Sequence, residues 1–264
     1  LIWILMKVNT LVNIKFIPHI DGMDLVPEIC PQPAKNFIPD WFKKLPTYAE
    51  RPEIFQDMQD PSKHFGYSSR TKTAKKCPSF VDVFNNGFVI PAPCDIYCSY
   101  DEEKQQWYAE TGLKYSGRNA LENFSISMSI HDTQQYLDHA PNAPYEYIFK
   151  LDNVWSIVTP KGYSIMQIPM LWHNNPKFEV AYGIVHTDQY HQINIQLMMK
   201  KGLKEMEIKM GTPLCYIVPY KREEYNLVLE PYDVAFHNAA NLRNIGKFSN
   251  GYSSLFRRLN KKSK

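Results

Sequence analysis

Phe124-Ser125-Ile126-Ser127-Met128-Ser129-Ile130 alternates large apolar with small polar side chains over seven residues. Successive side chains of a strand point to opposite faces, so this stretch puts four apolar groups on one side and three hydroxyls on the other. That is the pattern of a strand half-buried on a core. Working outward, residues 145–151, 155–158 and 163–168 read as further strands. So do residues 95–100 and 105–111, which flank the polar turn Asp101-Glu102-Glu103-Lys104. Downstream, strands are expected at residues 179–185, 192–199, 206–210, 214–218 and 226–229. Upstream, residues 80–84 and 88–90 are joined by Asn85-Asn86-Gly87, and Asn-Gly supplies the positive φ of a tight hairpin turn. Residues 7–18 alternate as well and read as an N-terminal strand.

Roughly a dozen strands with frequent turn signals, and no alternation of helices with strands, predict a mainly β fold. The expectation is a β-sandwich or jelly-roll core, or a β-clip-like one. Residues 75–232 form that core. Residues 1–74 supply the first strand and a proline-rich arm lying over it. In the arm Asp40 caps a short helix at residues 40–45, and Phe37, Trp41 and Leu45 are its anchors. Residues 233–264 form a basic tail in which Tyr252, Leu255, Phe256 and Leu259 fall at helical spacing among Arg257, Arg258, Lys261 and Lys262, a short amphipathic helix.

The composition excludes several classes. A hydrophobic share of 44% with 17 Tyr, 14 Phe and 5 Trp is that of an ordered globule, and 264 residues suffice for a core without metal or disulfide. The net charge of +3 sits in the tail: seven of the 30 basic residues lie at positions 241–264, which hold no acidic residue. That leaves 23 basic against 27 acidic residues in the body, a charge of −4. The body is therefore not expected to bind nucleic acid, whereas the basic tail is a candidate for nucleic acid, a membrane surface or a partner. Five cysteines are an odd number. Cys94 and Cys98, four residues apart on a strand, would stand about 13 Å apart, too far for one bridge. Reduced thiols place the chain in a cytoplasm. The apolar opening, Leu1 to Met6, is too short for a signal peptide or a membrane span, and Met6 is the expected start.

The richest polar stretch follows Gly183. Read as one strand, residues 183–197 put Ile193, Ile195 and Leu197 on a core face and His186, Asp188, Tyr190, Gln192, Asn194 and Gln196 in a continuous polar row. That row is the candidate binding surface: the wall of a polar pocket, or the wetted face of an edge. His186-x-Asp188 also has the spacing of two ligands of a two-histidine, one-carboxylate iron site, because both side chains would point the same way. His237 is the candidate third ligand and Arg243 the carboxylate clamp, although residues 238–243 do not read as the strand such a site uses. This reading carries Fe(II) and 2-oxoglutarate with it, in an oxygenase.

Other candidates are a basic loop of Arg70, Lys72, Lys75 and Lys76 beside Tyr67, for phosphate, and His131-Asp132 with His139, as an acid/base group or a strand-end cap. The loop Trp172-His173-Asn174-Asn175 is of the polar-aromatic kind that often binds ligands. No P-loop, nucleophile elbow, zinc spacing or dinucleotide fingerprint is present.

Two resemblances follow from quoted residues. Pro160-Lys161-Gly162-Tyr163, then Gly183-Ile184-Val185 with Asp188 and Tyr190, then Ile208-Lys209-Met210-Gly211 and Ile217, resemble the strand-and-turn order of the dUTPase-like β-clip. In that family an aspartate closely follows the glycine-hydrophobic pair and a tyrosine stacks by the deoxyribose. Here Asp188 falls one or two places late, and the arginine-serine-serine and glycine-rich arm motifs are missing. The resemblance implies fold and nucleotide binding rather than catalysis, with trimers as its usual assembly. The wider resemblance is carried by Pro33-Ala34-Lys35-Asn36-Phe37-Ile38-Pro39-Asp40-Trp41-Phe42-Lys43-Lys44-Leu45-Pro46, Lys75-Lys76-Cys77-Pro78-Ser79-Phe80, Thr159-Pro160-Lys161-Gly162-Tyr163-Ser164 and Gly211-Thr212-Pro213-Leu214. These resemble a family of tailed-phage proteins of unknown role, notably from marine cyanobacterial myoviruses. That implies a viral protein of the host cytoplasm or virion, acting by binding a protein partner or its own copies as a virion, assembly or accessory component.

Overall fold

A computed structural model describes residues 11–50, 70–112 and 126–245. The chain is mainly β, built from antiparallel sheets with few helices. It divides into two compact units, Leu1–Phe37 with Gly87–Glu223 and Ile38–Asn86 with Glu224–Lys264. These boundaries differ from the expected cuts after residues 74 and 232: the proline-rich segment splits at Phe37, and residues 75–86 go with its second half.

The first unit holds the sandwich-like core. Its five-stranded sheet runs in the order β13 (Gly183–Val185), β11 (Tyr163–Pro169), β16 (Pro213–Lys221), β5 (Phe88–Pro91) and β2 (Gln32–Pro33). A four-stranded sheet runs β12 (Phe178–Val180), β14 (Asn194–Lys200), β9 (Tyr145–Asp152) and β8 (Met128–Ile130). A three-stranded sheet adds β15 (Glu205–Ile208), β6 (Asp95–Asp101) and β7 (Gln106–Gly112), and β1 (Lys15–Pro18) pairs with β10 (Trp155–Val158). All three larger sheets feed one apolar core: Ile90, Ile165 and Ile217 from the first, Phe149, Leu151, Ile195 and Leu197 from the second, Ile96, Cys98 and Met206 from the third. Alternation explains the burial: in β14 Ile195 and Leu197 are buried between half-buried Asn194 and Gln196. The turn at residues 101–104 forms as expected, with the Asp101 carboxylate accepting from the Glu103 and Lys104 amides at 3.0 and 3.1 Å.

The second unit contains β3 (Tyr48–Glu50) paired with β4 (Arg70–Lys72), and the helices α1 (Asp40–Lys44), α2 (Pro78–Asn85) and α3 (Val234–Ile245). Its anchor is Phe42. This ring is 5% exposed and lies 5.6 Å from Phe80 in parallel and 5.2 Å from Phe84, whereas Trp41, the expected anchor, is exposed. Pro39, not Asp40, holds the N-cap position of α1.

Three element assignments are corrected. Residues 78–85 form helix α2 instead of a hairpin arm: Pro78 sits at the first helical turn, where its missing N–H costs nothing, and Phe80 and Phe84 fall one turn apart. Gly87 still supplies a positive φ of 79°, but it leads from helix to strand. Residues 179–185 are two strands in two different sheets, β12 and β13. Residues 226–229 are not a strand. The amphipathic helix expected at residues 252–262 lies outside the described residues, and α3 begins well before it.

Candidate functional site

The polar row does not exist as one strand face. β13 ends at Val185 and β14 begins at Asn194, in another sheet. Between them the His186 carbonyl accepts from the Gln189 and Tyr190 amides, both at 2.9 Å, so the chain turns where alternation predicted extension. His186 and Asp188 stay together at the head of this turn. Tyr190 and Gln192 are exposed beyond it, and Asn194 opens the next strand.

What gathers at the turn is set by sheet register. β11 pairs with β13 through Ile165↔Val185 and with β16 through Tyr163↔Lys221. One step further brings Ser164 beside His186 and Gly162 beside Arg222. The Arg222 amide donates to the Gly162 carbonyl at 2.8 Å, and its guanidinium grips Asp188 with two parallel bonds of 2.8 and 2.5 Å. The Gly162 amide donates to the same carboxylate at 2.8 Å, and the guanidinium also reaches the Tyr163 carbonyl and the Ser164 hydroxyl at 3.0 and 2.8 Å. The hydroxyl in turn lies 2.7 Å from His186 Nδ1, and Arg222 is 3.2 Å from the same nitrogen. Behind the cluster the fully buried Thr187 shares a 2.8 Å hydroxyl contact with Thr159, and its carbonyl lies 2.9 Å from His191 Nδ1.

The electrostatics follow. The Arg222 guanidinium, assisted by the Gly162 amide, holds the Asp188 carboxyl well below the usual carboxylate range. Both Asp188 oxygens are thus committed, and the group is an ion-paired strut. Ser164 and His186 do not make a nucleophile and base of the triad kind. Ser164 is fully buried, the acid grips the arginine instead of the imidazole, and a fixed cation stands beside both. Nor do the residues fit the iron reading. Asp188 has no free oxygen, and among the described residues, His237 included, no three His, Cys, Asp or Glu side chains gather where they could hold a metal. Neither a family model nor a curated protein matches the chain. The β-clip positions are therefore judged on geometry alone: Gly162 makes the expected tight turn at φ 84°, while Asp188 is locked and Tyr190 faces outward.

Of the remaining candidates, Lys75, Lys76 and Asp132 take structural roles, and Tyr67 lies outside the described residues. Lys75 caps α1, its ammonium donating to the Lys43 and Leu45 carbonyls at 2.8 and 3.1 Å, and Lys76 sits 5.8 Å from the centre of the Tyr48 ring. Asp132 caps the turn after β8 by accepting from the Gln134 amide. The loop after β11 stands apart from these. Trp172 and Asn174 both hold positive φ, 64° and 50°, and with Phe178, Tyr182 and Leu214 they line an open cavity of about 460 Å³. His173 reaches the Phe37 carbonyl at 2.7 Å and Asn175 accepts from the Lys177 amide, so the loop is held in this strained form.

Arg222 was not among the residues that sequence reading selected, and Thr159 and Ser164 entered it only within the motif at residues 159–164, not as site residues. Arg222 is 34 positions from Asp188, and it takes the pairing of β11 with both β13 and β16 to bring them together.

Proposed function

We propose that this chain is a phage-type protein that works by binding, as a virion, assembly or accessory component, and not by catalysis. The observation that carries this reading is the run of large apolar side chains left in solvent after β16: Tyr225, Leu227, Val228, Leu229, Tyr232, Val234 and Phe236. A surface run of that kind is characteristic of a contact awaiting its partner. Two further features support it. The polar cluster around Arg222 and Asp188 spends its donors and acceptors on itself, and the strained loop offers Trp172 and Tyr182 to solvent beside the cavity. The resemblance of the stretches at residues 33–46, 75–80, 159–164 and 211–214 to tailed-phage proteins is what suggests the viral setting.

A thermal-shift screen tests the reading. The full chain is scanned with Fe(II) or Mn(II) plus 2-oxoglutarate, and separately with deoxynucleotides plus magnesium. A ligand at a hundred times its Kd would add about 2.7 kcal/mol and raise Tm by roughly 5–10 °C. No shift is expected in either arm. A shift with metal and 2-oxoglutarate that vanishes in His186→Ala, or a nucleotide shift, overturns the binding reading in favour of an oxygenase or a β-clip nucleotide protein.

A further inference from the structure

We infer that the segment following β16 is an exchange arm, which adds as a strand to the β13 edge of a second copy of this chain. The inference rests on the binding reading and names its partner. Glu224-Tyr225-Asn226-Leu227-Val228-Leu229-Glu230 is rich in residues suited to a half-buried strand, yet residues 224–232 make no backbone–backbone hydrogen bond among the described residues. Tyr225, Leu227 and Leu229, the alternate residues of one strand face, are 85%, 83% and 86% exposed. A backbone with unused N–H and C=O groups and one greasy face is what β-augmentation requires.

Apolarity and charge favour β13 over β2 and the edges of the three-stranded sheet. Among the described residues β13 closes one side of the five-stranded sheet and pairs only with β11. Along it Ile184 is exposed, directly opposite exposed Met166, and Tyr182 precedes it, also exposed. The arm is acidic, with Glu223, Glu224, Glu230 and Asp233. The three-stranded sheet would meet it with Glu205 and Glu207 on β15 and Glu110 on β7. β2 is two residues long and ends in Pro33. β13 carries no acid, the adjoining turns present Lys161 and His186, and the acid of that turn, Asp188, is paired with Arg222.

The area is sufficient. The two tyrosines of the arm, Tyr225 and Tyr232, would bury roughly 300–500 Å² and its Leu and Val side chains about as much again. One arm on one edge is then close to the ~800 Å² per partner of a standard interface, and reciprocal exchange across a two-fold axis doubles it.

Sedimentation velocity of the full chain over a range of concentrations tests this. The wild type is expected as an oligomer. Leu227→Asp with Leu229→Asp removes the arm, and Ile184→Asp spoils the edge. All three positions are exposed, and circular dichroism checks that folding is kept. Each variant is expected to be a monomer alone. Mixed, they should form a one-to-one pair, because one still has its edge and the other its arm. A monomeric wild type, or assembly that survives both variants, overturns the proposal. So does failure of the mixture to pair, which would mean arm-to-arm contact. A monomer that captures a different protein through the arm also overturns it, while leaving the binding reading standing; only a ligand shift in the thermal screen removes that.

Discussion

Arg222 lies within hydrogen-bond reach of Asp188, Ser164, His186 Nδ1 and the Tyr163 carbonyl, so its loss strands several partners together. Arg222→Ala should lower Tm clearly more than His186→Ala, which removes one exposed ring at the rim; differential scanning calorimetry of the two decides it. The pH dependence has a definite sign. Asp188 is held below its ordinary value in the fold, so between that depressed value and about 3.9 the unfolded chain binds the extra proton. The pair's contribution is complete above that window and is lost as pH falls through it. Urea unfolding measured from neutral to strongly acid pH should therefore drop more steeply for the wild type than for Asp188→Asn, and parallel curves would refute the strut. A second residue-scale test is Gly87. Its φ of 79° disfavours any side chain, and a Cβ there would drive into the Ile217 carbonyl, so Gly87→Ala should cost about 2 kcal/mol or more in urea unfolding. At this scale the sequence drew attention to His186 and Asp188 but not to their partners. A two-residue spacing can be read along one segment, whereas the guanidinium that neutralises the acid arrives by cross-strand register.

At the scale of elements, local patterning served well where a strand meets a single core. β6, β7, β9, β10 and β11 fall within a residue or so of their expected places because alternation, turn chemistry and burial agree. It failed where two readings share one composition. Residues 80–84 hold apolar side chains that suit a strand, and the same residues put Phe80 and Phe84 on one helical face; Pro78 decided for the helix. Residues 226–229 have strand-forming side chains but pair with no strand among the described residues, so propensity alone predicted an element that does not form. The second unit's core supplies the test at this scale. Phe42→Ala empties the space between Phe80 and Phe84 and should cost about 3–5 kcal/mol, whereas Trp41→Ala, which removes a part-exposed ring edge-on to Phe42 and Phe80, should cost clearly less. Chemical denaturation followed by circular dichroism distinguishes them, and equal losses would mean that Phe42 is not the anchor.

Across the whole molecule, the mainly β character was legible from the density of half-buried strands, while the division into units was not: it depends on which distant segments pack together. All five cysteines are free thiols. Burial pushes Cys94 up to about 11 and Cys98 and Cys215 up to about 12, whereas Cys77 is exposed. An aromatic disulfide reagent should therefore modify Cys77 quickly in the native protein and reach Cys94, Cys98 and Cys215 only on unfolding. Rapid reaction of all five in buffer would contradict the packing. Among the described residues no helix is long and apolar enough to cross a membrane.

The position of Arg222 in the chain has a mechanical consequence. It is the last residue but one before the exposed segment begins, so any tension on that segment enters the first unit through it. The guanidinium shares the load with the 186–190 turn through Asp188 and with the head of β11 through the Tyr163 carbonyl before β16 feels it. A tail tugged by whatever it holds would thus pull on three chain segments in parallel instead of peeling one strand from its end, and the clasp acts as a strain relief at the point where the cable leaves the housing.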